Sequence, residues 1–403
     1  MEVYFDNSAT TRTDENVIEL MTKIMRDDFG NPSSKHMKGV ESEKYLTYAK
    51  NTLAKLLKVS PAEIFFTSGG TESNNTAVIG FAMANMRRGR HLITTQTEHD
   101  SVLEAFKYLE EMRLPENIDP EGKGFEVTYL KPDEQGIISC DDLKAALRED
   151  TILVSVMMVN NELGCVQDIE KMGKIIKEAD PGCAFFVDAV QAFGKYEIYP
   201  KRMNIDMLSI SAHKIHGPKG SGALYVNEKI KVRPLILGGG QQKGFRSGTD
   251  NVPGAAGLAK AAENAYADLK EDTARMQKVK DHLCEGLAGL CKEGAFGNCS
   301  VKINSSGGEN FAPHILSVSF VPVKSEVLLH ALEEKGIYVS AGSACSSNRK
   351  RESHVLSAVG MDKKAADCTL RFSFCKYNKI EEADYLLECL REILPVLSKF
   401  TPR

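Results

Sequence analysis

The stretch "EIFFTSGGTESNNTAVIGFAMANMRRGRHLITT", Glu63 to Thr95, alternates between two hydrophobic periods and decides the fold. "EIFFT" is a short apolar run typical of a buried strand, and a glycine-rich turn leads from it into a segment with helical spacing. "HLITT" is a second strand-like run of the same kind. Short apolar strands that alternate with helices predict an α/β fold, in which a mostly parallel sheet is covered by helices on both faces.

The same alternation continues to about residue 255 and then gives way to a different pattern. Further strands are predicted at "FEVTYL", "ILVSVMMV", "AFFVDAV", "MLSISA" and "GALYV". A long helical stretch from residue 254, rich in Ala, Lys and Glu, follows, with strand-like "HILSVSF", "IYVSAG" and "LRFSF" after it. Because 403 residues exceed one simple core, we expect a large domain at 16–255 and a smaller α+β domain at 256–403. Residues 1–15 are expected to pack with the small domain.

Composition excludes several classes of function. The net charge is only −4, so no overall field favours nucleic acid or an anionic membrane, and no apolar run approaches transmembrane length. The start, "MEVYFDNSATT", lacks the basic and apolar regions of a secretory signal. Ten cysteines without a CxxC pair fit free thiols in a reducing compartment better than disulfides or a zinc site. The sequence therefore predicts a cytoplasmic protein without a permanent metal.

Polar residues follow five of the predicted strands directly. They are Gly70-Thr71, Glu98-His99, Asn160-Asn161-Glu162, Asp188 with Gln191, and His213-Lys214. In open α/β sheets, ligands bind beyond the carboxyl ends of the strands. A lone Asp or His at a strand end is usually a helix cap or a turn residue, and for Gly70-Thr71 an anion site and a plain glycine-rich turn are equally favoured. Their convergence on one sheet edge favours a binding site.

The residue types at this edge are those that pyridoxal phosphate requires. A lysine that closes an apolar strand, as Lys214 does, is partly desolvated and can form a Schiff base. An aspartate such as Asp188 keeps a pyridine nitrogen protonated, and a histidine such as His99 can stack on the ring and move protons. A Gly-Thr helix start binds a phosphate.

Ten motifs, in order along nearly the whole chain, resemble those of the cysteine desulfurases, which are class-V aminotransferases of the fold type I pyridoxal phosphate enzymes. They are "YFDNSATT", "FGNPSSKHMKG", "FTSGGTESNN", "TEHDSV", "VNNELGCVQDI", "VDAVQAFGK", "SAHKIHGPKG", "RSGTDN", "SAGSACSS" and "LRFSF". The resemblance implies a large domain with a mostly parallel seven-stranded sheet and a smaller α+β C-terminal domain.

The resemblance also implies a role for each matched residue. Lys214 would bond the cofactor aldehyde, Asp188 would pair with the pyridine nitrogen, and Gln191 would reach the ring hydroxyl. His99 would stack on the ring and take part in catalysis, and Asn161 and Arg371 would hold the substrate carboxylate, Asn161 next to the cofactor as well. Four residues would hold the phosphate, namely Gly70, Thr71, Ser211 and His213. Thr249 would reach the phosphate of a neighbouring subunit, which implies a homodimer.

Cys345, in the run "VSAGSACSSN", is the residue that decides the reaction. Small neighbours leave its sulfur unobstructed, in contrast to cysteines within apolar periodic segments. By resemblance, Cys345 takes sulfur from L-cysteine as a persulfide, leaves alanine, and passes the sulfur to an acceptor, either an iron–sulfur scaffold or a tRNA-thiolation protein. The sequence departs from the family where Cys375-Lys376 stand in place of the frequent Gly-Arg.

Three alternatives stay open. A selenocysteine lyase would use the same residues. An aminotransferase would have no need of Cys345. A catalytically silent sulfur-transfer scaffold would keep the fold without the chemistry, although every expected site residue is present.

Overall fold

A computed structural model of the chain describes residues 1–117, 121–305, 310–341 and 352–399. The strands are β1 (Val3–Tyr4), β2 (Ile64–Thr67), β3 (His91–Thr95), β4 (Glu126–Leu130), β5 (Thr151–Met157), β6 (Ala184–Asp188), β7 (Met207–Ser211), β8 (Gly222–Val226), β9 (Ser300–Ile303), β10 (Ile315–Val321), β11 (Ile337–Tyr338), β12 (Ser340–Ala341) and β13 (Thr369–Ser373). The helices are α1 (Glu15–Arg26), α2 (Met37–Leu57), α3 (Gly70–Asn75), α4 (Phe81–Asn85), α5 (Asp100–Glu111), α6 (Cys140–Ala146), α7 (Ile169–Ala179), α8 (Val252–Ala267), α9 (Leu269–Lys292), α10 (Ser325–Glu333), α11 (His354–Ala358), α12 (Lys363–Ala366) and α13 (Ile380–Leu397). A π-helical turn at Thr76–Gly80 joins α3 to α4.

Seven strands form one sheet in the order β2-β8-β7-β6-β5-β3-β4. All its strands run parallel except β8, which is antiparallel to both of its neighbours. The predicted α/β class and the mostly parallel seven-stranded sheet are confirmed. The carboxyl ends of β2, β3, β5, β6 and β7 therefore share one edge, at which the polar residues noted above emerge.

Apolar burial explains why the central strands form. Every residue of β5, β6 and β7 is buried, because helices cover both faces of the sheet. Helix α7 shows the covering pattern, since Ile169, Met172 and Ile176 lie on its buried face. Asp168 caps this helix by accepting a hydrogen bond from the Lys171 backbone N–H.

A four-stranded antiparallel sheet, ordered β12-β13-β10-β9, is formed by strands from the second half of the chain. The β1–β11 pair joins the N-terminal segment to this region, and both contribute to a second apolar core. Strand β9 was not predicted, because its residues alternate between exposed and half-buried and it is only four residues long. The run "IYVSAG" forms two short strands rather than one, separated by Val339.

The long helical stretch after residue 254 is two helices. Helix α8 ends at Ala267 because Asp268 leaves helical geometry, with φ −123° and ψ 37°, and α9 follows from Leu269. The predicted boundary at 255/256 thus falls inside α8, which packs against α1 and α2. The alanine face of α8 belongs to the core of the large sheet, whereas α9 joins the second core from Met276 onward.

Within the described residues, no helix is both long enough and apolar enough to cross a membrane.

Candidate active site

A cavity of about 290 Å³ opens at the carboxyl ends of the parallel strands. Ten of the residues proposed from sequence line it, namely Gly70, Thr71, His99, Asn161, Asp188, Gln191, Ser211, His213, Lys214 and Arg371. The remaining lining residues are Ser8, Ala9, Asn74, Ser101, Met157 and Val190. Two chain segments that are far apart in sequence, the N-terminus and β13, therefore complete a site built at the sheet edge.

The amine of Lys214 contacts the N-terminal segment. Lys214 lies in a 3-10 turn that follows β7 directly, and its Nζ donates to the carbonyl oxygens of Ser8 and of Ala9, the latter at 2.8 Å. The Gln191 amide donates to the same Ser8 carbonyl at 3.0 Å. Behind the turn, the Lys195 amine donates to the Lys214 carbonyl at 2.6 Å. These contacts fix both the backbone and the side chain of Lys214.

Asp188 is a buried carboxylate at the end of β6. Its Oδ1 accepts from the Val190 N–H at 2.9 Å and its Oδ2 from the Asn74 amide at 2.8 Å. Burial raises the pKa of Asp188, and these hydrogen bonds and the charges of His99 and Lys214 oppose that rise. A cationic ring nitrogen placed against this carboxylate would offset the cost of burying its charge.

A chain of hydrogen bonds joins Asp188 to His99 and assigns every proton along it. Asn74 uses its amide hydrogens for Asp188 and for the Ser101 hydroxyl, each at 2.8 Å. The Ser101 N–H donates to His99 Nδ1 at 3.1 Å, which makes this nitrogen an acceptor, so the Ser101 hydroxyl, 2.8 Å from Nδ1, donates to it as well. Because Nδ1 accepts, the neutral His99 ring carries its proton on Nε2. Burial lowers the pKa of His99 and favours this neutral form.

A cradle for an anionic group lies where β2 meets the start of α3. Gly69 has a φ of +148°, which favours glycine, and a Cβ at Gly70 would come within 2.8 Å of the Val190 side chain. The buried Ser211 hydroxyl faces this turn and has no hydrogen-bond partner among the described residues. A phosphate would satisfy it together with the helix N–H groups. Burial, with the Lys214 charge second, lowers the pKa of the neighbouring His213 to about 4, so this ring is neutral at pH 7.

Arg371 projects from β13 and is 3% exposed. Its Nη1 donates to the Asn161 carbonyl at 2.7 Å, and its Nη2 donates to the Asp6 carboxylate at 3.0 Å. Its Nε is buried without a hydrogen-bond partner in the described part of the chain. A carboxylate ligand would satisfy this donor.

The donor set fits pyridoxal phosphate on these observations. A buried hydroxyl without a partner among the described residues lies beside a glycine turn for the phosphate, a buried carboxylate is available for the ring nitrogen, and the same cavity is lined by Lys214. Three residues that sequence reasoning left without a role belong to the site: Asn74, Ser101 and Asp6. All three lie inside quoted motifs, Asn74 in "FTSGGTESNN", Ser101 in "TEHDSV" and Asp6 in "YFDNSATT", so motif membership was the available signal.

One other predicted residue, Thr249, is exposed and does not line the cavity. Cys345 lies in the segment 342–351, outside the described residues. Just after that segment, the Ser353 hydroxyl donates to the buried Glu162 carboxyl at 2.5 Å, and His354 Nε2 contacts the Glu98 carbonyl at 2.9 Å. The chain that follows Cys345 is thus tied to the strand ends that carry Asn161 and His99.

Glu98 itself has a structural role. Its Oε1 accepts from the Met157 N–H at 2.7 Å and from the Thr95 hydroxyl at 2.8 Å, which joins the ends of β5 and β3. Burial raises its pKa to about 8, so the side chain is mostly protonated at pH 7. No cluster of potential metal ligands occurs within the described ranges.

Comparisons with known proteins agree on one family. The family model Aminotransferase class-V matches residues 3–386. A relative from Methanosarcina thermophila, cysteine desulfurase IscS, is 42% identical over 99% of this chain and 94% of its own length. A solved NIFS-like protein is 40% identical with a TM-score of 0.88, and covers 98% of this chain and 100% of its own. A solved structure of SspA in complex with cysteine is 35% identical with a TM-score of 0.78, covering 94% and 100%.

Proposed function

The chain belongs to the class-V aminotransferase family, among its cysteine desulfurases, and from this premise we propose that it removes sulfur from L-cysteine with pyridoxal phosphate as cofactor, yielding L-alanine and a persulfide on Cys345. The observation that carries the proposal is the single cavity in which Lys214, Asp188 and Arg371 converge. A likeness to a solved protein that binds cysteine supports the substrate.

The cofactor would be held by residues on three sides of the cavity. Lys214 would bond its aldehyde, Asp188 would hold the ring nitrogen, and His99 would stack on the ring. Gln191 would reach the ring hydroxyl, and Gly70, Thr71, Ser211 and His213 would bind the phosphate. When bound, pyridoxal phosphate supplies an electron sink that stabilises negative charge on the substrate carbons.

The protein residues then divide the remaining work. Arg371 and Asn161 would hold the α-carboxylate so that the Cα–H faces Lys214. The Lys214 amine, free once the substrate amine has taken its place on the aldehyde, would remove that proton at Nζ. His99, with its proton on Nε2, can exchange a proton with the sulfur atoms. The Cys345 thiolate attacks the substrate sulfur, and the electron pair of the broken C–S bond stays on carbon, where a proton completes alanine. L-cysteine and one enzyme thiol thereby become L-alanine and one enzyme persulfide, which balances without an external oxidant.

The finer assignments extend the proposal. A homodimer would bring the exposed Thr249 to a partner's phosphate site. The acceptor would be a protein thiol of an iron–sulfur scaffold or of a tRNA-thiolation pathway, and the setting would be the cytoplasm. We retain the domain division proposed from sequence, with the boundary moved to the junction between α8 and α9.

The test measures alanine after cofactor-loaded protein is incubated with L-cysteine and a reductant, and maps persulfide in a parallel sample incubated without reductant. We expect alanine release in the first sample and a persulfide on Cys345 in the second. Cys345→Ser should keep the cofactor's visible band and lose alanine release. Cys291→Ser, which changes an exposed thiol away from the cavity, is the matched control and should behave as the native protein does.

Two results would contradict the proposal. Undiminished alanine release by Cys345→Ser would remove this thiol from the reaction. Alanine release from L-selenocysteine but not from L-cysteine would assign a selenocysteine lyase instead.

A further inference from the structure

Arg371, the residue expected to hold the substrate carboxylate, already has a carboxylate neighbour. Its Nη2 donates to Asp6 Oδ1 at 3.0 Å, and both side chains are largely buried, with 4% and 21% of their surfaces exposed. Arg371 Nη1 is engaged by the Asn161 carbonyl at 2.7 Å. The donor without a partner among the described residues is Nε, and it shares an edge of the guanidinium plane with one of the terminal nitrogens.

The position of Asp6 is fixed by its neighbours. Asp6 forms a bridge to Ser373, which is two residues beyond Arg371 on β13. The Ser373 N–H donates to the Phe5 carbonyl at 2.6 Å, and the Ser8 N–H donates to the Ser373 hydroxyl at 2.8 Å. The fully buried Phe5 packs edge-on against Phe374, with ring centroids 5.1 Å apart. These contacts hold the backbone that carries the Asp6 carboxylate against β13, beside Arg371.

The consequence concerns affinity. A substrate carboxylate that binds Arg371 meets a guanidinium whose charge is already partly balanced, and it comes to lie near a second negative charge. The same holds for alanine, because substrate and product carry the same α-carboxylate. Tight uniform binding of both would lower KM and slow product release without helping the chemical step.

We propose that Asp6 is a positioning residue that lowers the affinity of Arg371 for the α-carboxylate of both the amino-acid substrate and the amino-acid product. This inference rests on the proposed function for the identity of the two ligands. The negative charge of Asp6, and not only its hydrogen bond to Arg371, lowers this affinity.

The test is a titration of cofactor-loaded protein that follows the change of the cofactor's visible band and needs no turnover. Asp6→Asn keeps an oxygen acceptor for Arg371 but removes the charge. The ligands are L-alanine and ethylamine, which is alanine without its carboxylate. Asp14→Asn is the matched control, because Asp14 is a buried aspartate of the same N-terminal segment that pairs with Lys376 at 3.2 Å and not with Arg371.

We expect D6N to lower the Kd for L-alanine by roughly three- to tenfold, as expected for a charge at a partly exposed site, and to leave the Kd for ethylamine unchanged. D14N should change neither. The KM for L-cysteine should fall in parallel with the Kd for L-alanine. Asp6→Ser, which removes the charge with a small side chain, should tighten L-alanine binding in the same direction if D6N binds the cofactor poorly.

An unchanged or weaker affinity of D6N for L-alanine, in protein that keeps its cofactor band and thermal midpoint, would overturn the inference. So would a decrease in the Kd for ethylamine equal to that for L-alanine. Because neither titration involves sulfur, a failed desulfuration assay on the native protein would refute the proposed function separately.

Discussion

Lys195 offers a test of the electrostatics beneath the cavity. Its amine donates to the Lys214 carbonyl, and burial lowers its pKa from 10.5 to about 7, with Cys375 opposing and Lys214 adding to that shift. In the unfolded chain this amine binds a proton up to its ordinary pKa. Between about pH 7 and pH 10.5 the unfolded state therefore holds a proton that the folded state lacks, so the free energy of unfolding of the native protein rises with pH.

Lys195→Met removes this dependence. Each pH unit in the window is worth about 1.4 kcal/mol, so the whole shift corresponds to about 5 kcal/mol. This is an upper limit, because the Lys195 residue as a whole is only partly buried. We expect the difference in unfolding free energy, native minus K195M, to rise by at least about 2 kcal/mol between pH 7 and pH 9.5.

The assay is urea unfolding of both cofactor-loaded proteins across that pH range. Lys280→Met is the matched control in the second core. Burial lowers the pKa of Lys280 to about 8, and its amine donates to the Ala312 carbonyl at 2.9 Å. The difference in unfolding free energy, native minus K280M, should also rise with pH, but the rise should begin about one pH unit higher than for K195M. Parallel pH curves for the native protein and K195M would refute a lowered pKa for Lys195.

Two further predictions concern the hydrogen bonds that line the cavity. Ser101→Ala removes the hydroxyl that donates to His99, so kcat for alanine release should fall by about three- to tenfold with little change in KM. The acid limb of the pH profile should move to higher pH, because His99 Nδ1 then accepts a proton more readily. Ser101→Thr should restore both kcat and the pH profile, and an unchanged pH profile in S101A would contradict this role. Ser211→Ala should raise the Kd of pyridoxal phosphate, measured by fluorescence titration of cofactor-free protein, by about tenfold. Ser209→Ala, which removes another unpartnered buried hydroxyl of the same strand that does not line the cavity, should leave that Kd unchanged, and equal effects of the two variants would contradict a phosphate at Ser211.

The large sheet could be predicted from sequence because its strands are buried on both faces and therefore appear as unbroken apolar runs. Strand β9 could not be predicted, since half of its residues face solvent and the run is short. The break between α8 and α9 at Asp268 was also missed. The residues on either side of Asp268 favour helices, and the break reflects the packing of α8 and α9 in different cores.

The residues of the candidate site also divide into those that could be predicted from sequence and those that could not. Residues at the carboxyl ends of strands, such as Asp188 and Lys214, could be predicted because the topology of a parallel sheet brings them together. The contacts of Asp6 with Arg371 and of Asn74 with Asp188 depend on which atoms meet across distant segments, which no local pattern encodes. Without the family motif, a surface arginine at the end of a strand was the preferred interpretation of Arg371, so only the motif pointed to a role in the site.

The most direct test of the account is the identity of the lysine that carries the cofactor. The cofactor-loaded protein is reduced with borohydride and digested, and the pyridoxyl-labelled peptide is sequenced by mass spectrometry. The account predicts a single label on Lys214. A label on the nearby Lys195, whose lowered pKa makes its amine the rival nucleophile, or on no lysine at all, would contradict it.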